Sequence, residues 1–243
     1  MPDGPFRAAA PRPVRPSRWV LPDPVASDAA EGLVGVGGDL AVETLVDAYR
    51  RGIFPWPHPG MPLPWISPDP RAVLRPERVA VSRSLRQRLR RCGWTTTVDV
   101  AFDDVVAACA TRPWREGTWI NRHMRHAYGR LHRLGWAQSL EVWDGGELVG
   151  GIYGVRVGAC FTGESMFHRR SDASKVALVD LCRRWAEAGG TMIDVQLPTD
   201  HLRSMGAVEV AREAFLAELA AARERAVCVE MGALPVSRLA PAR

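Results

Sequence analysis

The sequence has few of the features that mark membrane, secreted or metal-binding proteins. Among its 243 residues, no apolar run reaches the ~18–20 residues of a membrane-spanning helix. Residues 1–18 combine arginine with proline and lack the apolar stretch of a signal peptide. The cysteine count is odd and no C-x-x-C pair occurs, which favours reduced thiols and no zinc site. We therefore expect a cytoplasmic protein with no membrane association and no metal.

Lysine is nearly absent, so arginine carries the positive charge. Lys175 is the only lysine in a chain whose formal net charge is +5 and whose pI is about 9.3. Because guanidinium groups form paired hydrogen bonds with phosphate, this charge predicts a nucleic-acid or nucleotide partner. An arginine-rich genome would give the same composition, and charge alone leaves both explanations open.

Common nucleotide, hydrolase and metal motifs are missing as well. The glycines of "GLVGVGGDL" break the G-x-G-x-x-G spacing at Leu40, and no P-loop occurs. The segment "GESMF" does not place Ser165 in a G-x-S-x-G turn. His123, His126 and His132 have no cysteine or carboxylate ligands near them in sequence, so we predict surface histidines.

The chain divides into three predicted parts. Residues 1–30 form a flexible Pro/Arg-rich arm and lead-in, residues 31–70 a small N-terminal domain, and residues 71–243 a larger domain. The small domain has a helix capped by Asp39 and then seven prolines between Pro55 and Pro70. That proline run excludes a helix or central strand, yet it is too aromatic for a linker. We predict an ordered loop that builds a site or an interdomain surface.

The larger domain begins with helices and then changes to strand periodicity. "SRSLRQRLRRC" predicts a basic helix capped by Ser82, in which Arg83, Arg86 and Arg90 either contact phosphate or form a solvated face. A second helix capped by Asp99 and a third over residues 121–134 follow. From residue 137, a hairpin, the strand "ACFTGESMF", a helix capped by Ser171 or Asp172, and the strand "TMIDVQL" are predicted. A short helix near 201–205, a strand near 207–210 and a helix near 213–225 complete an α+β fold with a mixed sheet.

The strand "TMIDVQL" has an unusual polar face. Alternation places Met192, Asp194 and Gln196 on one face and the aliphatic Ile193 and its alternate neighbours on the other. An acid and an amide side by side on an inner strand indicate either a catalytic pair or a polar pair that supports a loop.

The order of strands and helices resembles an N-acyltransferase that uses acetyl-CoA. Those enzymes bind pyrophosphate on a glycine-rich turn at the start of the helix after the meander. The corresponding turn here, "FHRRSDASK", contains no glycine, and close backbone approach to pyrophosphate needs it. A GNAT-like fold with a different acyl donor is therefore expected.

Seven segments in order make a resemblance specific: "YRRGIFPW", "WISPDPRAVL", "EGTWI", "ELVGGIYGV", "GESMF", "ASKVAL" and "IDVQ". Together they resemble the leucyl/phenylalanyl-tRNA–protein transferases. The resemblance implies a small N-terminal α/β domain followed by an acyltransferase-like domain. It also implies transfer of Leu, Phe or Met from aminoacyl-tRNA to N-terminal Arg or Lys of proteins, which creates a signal for the bacterial N-degron pathway.

This chemistry needs no cofactor, because an aminoacyl ester is already activated. The enzyme has to position an amine against an ester carbonyl, assist proton movement and stabilise an oxyanion. The expected partners are aminoacyl-tRNA and acceptor proteins, and we expect a monomer.

The resemblance also assigns site residues. Asp194 and Gln196 correspond to the family's catalytic pair, in which Gln196 would receive the proton from the attacking amine with support from Asp194. Because an amide oxygen is a very poor base and part of the amine is already neutral near pH 7, we prefer Gln196 as the acceptor that aims the neutral amine, with Asp194 polarising that amide. The 3′-terminal adenosine is expected to bind at Trp56, Trp119, Tyr49 and Tyr128. The aminoacyl pocket is expected at Ile152, Phe161, Glu164, Met166, Leu178, Leu181, Trp185 and Ile193. From the residues alone, the helix stripe of Leu178, Leu181 and Trp185 predicts a core. The two tryptophans could also belong to a core, and Glu164 to a surface ion pair, as the less favoured alternatives.

Two other classes of function stay open at this stage. One is a different N-acyltransferase, acting on a peptidoglycan precursor or using coenzyme A. The other is a tRNA-binding module without catalytic activity.

Overall fold

A computed structural model describes residues 8–27, 32–111 and 118–240. The fold is α+β, with a small three-stranded sheet and an eight-stranded mixed sheet in these ranges. The predicted fold class is therefore confirmed. The domain division at residue 70 stays a prediction.

The small sheet lies in the N-terminal part of the chain. Its strands are β1 (Leu33–Val36), β2 (Phe54–Pro55) and β3 (Pro64–Ile66), antiparallel and in the order β1-β3-β2. Helix α1 (Val42–Arg50) precedes β2. Asp39 accepts hydrogen bonds from the Ala41 amide and the Thr44 hydroxyl rather than occupying the cap position itself. The helix therefore begins two residues later than the predicted cap implies.

The large sheet has the strand order β10-β4-β9-β8-β7-β6-β5-β11. Only the β8–β9 pair is parallel, and the other pairs are antiparallel. The strands are β4 (Arg71–Leu74), β5 (Thr95–Val98), β6 (Ala137–Asp144), β7 (Glu147–Val157), β8 (Cys160–His168), β9 (Met192–Gln196), β10 (Val208–Val210) and β11 (Leu234–Pro235).

Helices cover both faces of the large sheet. They are α2 (Arg83–Arg91), α3 (Phe102–Ala110), α4 (Arg122–Arg133), α5 (Ala173–Glu187), α6 (Asp200–Ser204) and α7 (Arg212–Ala222). Two adjacent glycines of β7 show the two faces. A Cβ on Gly150 would lie 2.6 Å from Ala173 of α5, and a Cβ on Gly151 would lie 3.1 Å from Val105 of α3. Both helices can approach the sheet closely because these positions carry no side chain.

Several predicted helix starts differ in detail. Ser82 caps α2, which confirms that prediction. Asn121, where the third helix is predicted to begin, is the cap residue of α4. The prediction that Asp99 caps α3 is wrong, because its carboxylate accepts the Ser139 amide and the Gln138 side chain instead. Asp172 occupies the N-cap position before α5 in a left-handed conformation, but its carboxylate pairs with Lys175 and accepts no hydrogen bond from a backbone amide of the helix.

The described part of the predicted arm is packed against the fold. The Ala8 amide donates to the Val229 carbonyl, and the Arg12 amide donates to the Leu134 carbonyl. The indole of Trp136 donates to the Arg12 carbonyl. These contacts correct the prediction of a flexible arm for residues 8–27. In the described ranges, no helix is both long and apolar enough to cross a membrane.

Candidate active site

A cavity of about 890 Å³ lies between the proline-rich loop and the ends of β8 and β9. The loop contributes residues 54–59, and the segment before α4 contributes residues 118–120. The sequence-predicted site residues that line it are Trp56, Trp119, Ile152, Glu164, Met166 and Gln196. A volume of this size fits a ligand larger than a single amino acid.

Glu164 is the most strongly perturbed acid in the cavity wall. Its Oε1 accepts hydrogen bonds from the Tyr49 hydroxyl at 2.8 Å and from Gln196 Nε2 at 3.0 Å. Its Oε2 accepts the Tyr128 hydroxyl at 2.7 Å. Burial raises the pKa of the Glu164 carboxyl to about 7, although the bonds from the tyrosines oppose that shift. Glu164 is therefore close to half-ionised near neutral pH.

Tyr49 and Tyr128 donate hydrogen bonds to this carboxylate but do not line the cavity. Both rings are buried, at 2% and 0% exposure. Their position corrects the predicted role beside the adenosine, because a buried ring cannot offer a face to a base. Burial and the neighbouring Glu164 charge raise the pKa of both hydroxyls, so both stay protonated donors.

Gln196 ends β9 in an unusual conformation. Its φ is 64°, in the left-handed region that few residues other than glycine adopt. Its backbone amide donates to Asp194 Oδ1 at 3.0 Å, while its side-chain nitrogen donates to Glu164. With the nitrogen occupied, the amide oxygen is the atom left to accept a hydrogen bond from a ligand.

Asp194 has a different partner from the predicted one. Arg71 binds it with two hydrogen bonds, Nε to Oδ1 at 2.8 Å and Nη2 to Oδ2 at 2.7 Å. Both side chains are only 1% exposed, and Thr162 adds a third donor at 3.2 Å. Asp194 therefore does not line the cavity, and it contacts the backbone N–H of Gln196 rather than its side-chain amide. This corrects the prediction that it polarises that amide, since its contact is with the Gln196 backbone.

The sequence did not indicate a role for Arg71, whose side chain contacts segments that are distant along the chain. Its guanidinium lies 4.9 Å from the Phe54 ring and 4.5 Å from the Phe215 ring. Nη1 also donates to the Gly52 carbonyl at 3.1 Å. Arg71 and Asp194 are 123 positions apart, so no local pattern could have indicated the pair.

The predicted aminoacyl pocket separates into a lining and a support. Ile152 and Met166 line the cavity and face each other across β7 and β8. Five predicted residues are buried in the core and do not line the cavity: Phe161, Leu178, Leu181, Trp185 and Ile193. Phe161 and Trp185 meet edge to face at 5.5 Å. Apolar lining that the sequence reasoning missed comes from Ile120, Val195, Leu197 and Leu202.

The basic helix α2 lies outside the cavity. Arg83, Arg86 and Arg90 are exposed there, and phosphate contact stays a prediction for them. Arg88 of the same helix lies 3.7 Å from Asp172, which lines the cavity.

The described residues contain no group of His, Cys, Asp and Glu arranged to hold a metal ion. His123 and His126 are exposed on α4, as predicted. His132 is not a simple surface residue, because its ring stacks on Phe102 at 4.1 Å between centroids.

Two family models match most of the chain. Leucyl/phenylalanyl-tRNA protein transferase matches residues 73–220, and the N-terminal domain of the same family matches residues 38–69. The chain belongs to the leucyl/phenylalanyl-tRNA–protein transferase family. Relatives of that name in Yersinia pestis (strain Pestoides F) and Yersinia pseudotuberculosis serotype O:1b are each 51% identical over 202 residues. The matches cover 83% of this chain and 85% of each relative.

Two solved structures show weaker likeness to this transferase-family chain. L-PGS from Bacillus licheniformis matches with a TM-score of 0.38 and 15% identity, over 54% of this chain and 46% of that one. A GCN5-related N-acetyltransferase from Kribbella flavida matches with a TM-score of 0.39 and 12% identity, over 67% and 58% of the two chains.

Proposed function

We propose that this chain is an aminoacyltransferase that moves Leu, Phe or Met from aminoacyl-tRNA to the α-amino group of N-terminal Arg or Lys in proteins. The product is a peptide bond and a new N-terminal residue that acts as a degradation signal. The observation that carries the proposal is one cavity in which two tryptophans, an apolar wall and the Glu164–Gln196 pair meet. Membership of the family supports the same activity.

The donor would occupy the two less polar parts of this cavity. We assign the terminal adenosine to Trp56 and Trp119, since a base stacked on an aromatic ring gains about 1–3 kcal/mol. The aminoacyl side chain would lie against Ile152 and Met166. The five core residues behind that wall set its depth, because close packing fixes the lining side chains.

Gln196 would position the acceptor amine. Its Nε2 is held by Glu164, and this leaves Oε1 to accept a hydrogen bond from the neutral amine. An amide oxygen is too weak a base to remove the proton. A free α-amino group has a pKa of about 7.7–8.0, so a fraction is neutral at physiological pH and can attack the ester carbonyl.

Glu164 would stabilise the charge that develops on the amine. When the nitrogen adds to the ester carbonyl, it becomes cationic and the carbonyl oxygen becomes anionic. The intermediate collapses when the ester C–O bond breaks, and the nitrogen's proton passes to the departing ribose oxygen through water or the 2′-hydroxyl. Tyr49, Tyr128 and Gln196 hold the Glu164 carboxylate in place by hydrogen bonds. The fixed negative charge would stabilise the cationic nitrogen without a rearrangement of the site during the step.

Arg71 and Asp194 would act as positioning residues. Arg71 neutralises and orients Asp194, and Asp194 holds the Gln196 backbone in its left-handed conformation through the amide N–H. We further propose that the protein acts as a cytoplasmic monomer, since a single chain supplies all of these groups and its donor is an intracellular RNA.

A transfer assay tests the proposal directly. Labelled leucyl-tRNA is mixed with the protein and with two peptides that differ only in having N-terminal Arg or acetyl-Arg. Transfer to the free Arg peptide alone supports the proposed reaction. Bound tRNA without transfer would instead indicate a binding module, and acetylation of the peptide from acetyl-CoA would indicate a coenzyme-dependent enzyme.

A further inference from the structure

We propose that a basic cleft between α3 and α4 binds the sugar–phosphate backbone of the donor tRNA, an inference that rests on the proposed function. The cleft is concave, with a volume of about 280 Å³, and shares no lining residue with the larger cavity. The lining residues that matter are Asp103, Arg122, Arg125, His126, Gly129 and Arg133.

The residues from α4 form one stripe. Arg122 is followed three and four residues later by Arg125 and His126, and Gly129 and Arg133 continue the stripe at spacings of three or four, which places them on one face of a helix. Arg130 lies on the same helix and is exposed, but it does not line the cleft.

Gly129 forms the floor of the cleft. A Cβ added there would lie 3.5 Å from Arg133 Nη1 and 3.6 Å from Asp103 Oδ1. Because this position has no side chain, the floor stays open beside the Arg133 guanidinium. A phosphate would bind on the Arg133 side of the floor, away from the Asp103 carboxylate, which repels it.

The charge in the cleft is mostly uncompensated. Within the described ranges, no ion pair joins Arg122, Arg125 or Arg133 to a carboxylate. Asp103 is the single acid among the described residues of the lining, so these residues together carry a positive charge. By contrast, exposed Arg183 on α5 pairs with Glu187 four residues later at 2.5 Å. If the arginines of α4 formed a solvated face like that of α5, we would expect acidic residues three or four positions away to pair with them.

The order of charges along α4 also opposes local helix stability. Its first turn contains no acidic residue and begins with Arg122. Cations near a helix N-terminus are unfavourable, whereas an anion there gains roughly 0.3–1 kcal/mol. A bound phosphate would remove this conflict, because it pairs with the arginines and with the positive end of the helix dipole.

The cleft is continuous in sequence with the proposed adenosine site. Trp119 and Ile120 line the large cavity, Asn121 caps α4, and Arg122 is the first residue of the stripe. If the terminal base of the tRNA lies at Trp119, the nucleotides that precede that base would therefore lie near the start of α4.

The experiment measures the Kd of the full-length protein for deacylated tRNA by fluorescence anisotropy across a range of salt. The variants are Arg125→Ala and Arg133→Ala, and the matched control is Arg130→Ala, which removes the same charge from the same helix. We expect each cleft variant to raise the Kd several-fold and to reduce the slope of log K against log salt by about 0.7–0.9. We expect Arg130→Ala to change neither quantity.

A second measurement separates this inference from the proposed function. With 3′-leucyl-adenosine as donor, which lacks the upstream phosphates, the cleft variants should keep the wild-type KM. An unchanged tRNA Kd, an equal effect of Arg130→Ala, or an equal rise in KM for the short donor would each overturn the cleft site. A rise in KM for the acceptor protein alone would assign the cleft to the acceptor and also overturn it. If wild-type protein binds tRNA but transfers nothing, the transferase proposal fails while the Kd comparison still tests the cleft.

Discussion

Glu164 combines two properties that a single side chain rarely has. It is held by three neutral donors, yet burial keeps its pKa near neutrality at about 7. Near neutral pH the proton on Glu164 therefore determines whether the Gln196 amide has a carboxylate to bind. A small environmental change can shift the site between its neutral and anionic forms.

Replacement of Glu164 by Gln should change how stability depends on pH. The folded-state pKa of about 7 lies above the ordinary 4.5, so protonation favours the folded state. That contribution is complete below pH 4.5 and is lost as the pH rises through 7. We measure the unfolding free energy of both proteins in urea. We expect the difference, E164Q minus wild type, to increase by up to about 3 kcal/mol from low pH to high pH, because only the wild type loses stability when Glu164 ionises. A difference that is constant with pH would show that Glu164 has an ordinary pKa.

Replacement of Gln196 tests whether it aims the amine. In Gln196→Glu, a second carboxylate would stand beside Glu164, and the two would share a proton near neutral pH. We expect residual transfer activity with a steeper dependence on pH, measured as kcat from about pH 6 to 9. Gln196→Ala, which has no acceptor atom, should lose most of its kcat. Wild-type turnover in both variants would make Gln196 a purely structural residue.

At the scale of the element, β9 owes its final shape to Arg71. The guanidinium on β4 binds Asp194, and Asp194 binds the Gln196 amide at the strand's end. Both charges are buried, so each is stabilised mainly by the other. Local order around Gln196 thus depends on a pair that spans two neighbouring strands.

Breaking this pair should destabilise the fold strongly. Arg71→Met leaves the Asp194 charge buried and uncompensated, which we expect to cost about 3–5 kcal/mol of unfolding free energy. Adding Asp194→Asn should recover part of that loss, because the neutral amide keeps its acceptor for the Gln196 N–H. Urea unfolding of the single and double variants gives the coupling. The control, Arg183→Met at an exposed pair, should cost no more than about 1 kcal/mol. Additive effects at the buried pair would contradict the assignment.

The sequence predicted the elements better than it predicted their contacts. Alternation located β9, and the Ser82 cap located α2, because these features depend on neighbours in the chain. The role of Asp194 could not be predicted, since its partner lies 123 positions away. Strict alternation also failed at Gln196, whose positive φ turns its side chain out of the regular strand pattern.

At the scale of the whole molecule, the cavity joins segments that are far apart in sequence. The proline-rich loop supplies Trp56, the segment before α4 supplies Trp119, and β8 and β9 supply the polar groups. The predicted ordered loop therefore does build a wall of this cavity. Family resemblance indicated the tryptophans, but it could not separate lining residues such as Ile152 from supporting residues such as Trp185.

Loss of either cavity tryptophan should weaken donor binding. We expect Trp56→Ala and Trp119→Ala to raise the KM for leucyl-tRNA roughly five- to a hundredfold, the equivalent of about 1–3 kcal/mol of stacking. Their kcat at saturating tRNA should change much less. Trp143→Ala is the control, because Trp143 is half-buried on β6 away from the cavity. An equal KM effect in the control would mean that the loss is not one of stacking.

The contacts of Arg71 also have a consequence for synthesis of the chain on the ribosome. Arg71 and Phe54 emerge early, whereas Asp194 and Phe215 are translated more than a hundred residues later. Until then, the guanidinium lacks its carboxylate and one of its two aromatic neighbours. A nascent chain therefore cannot make the contacts that hold Gln196, and these contacts form only after the segment containing β9 and α7 has been released.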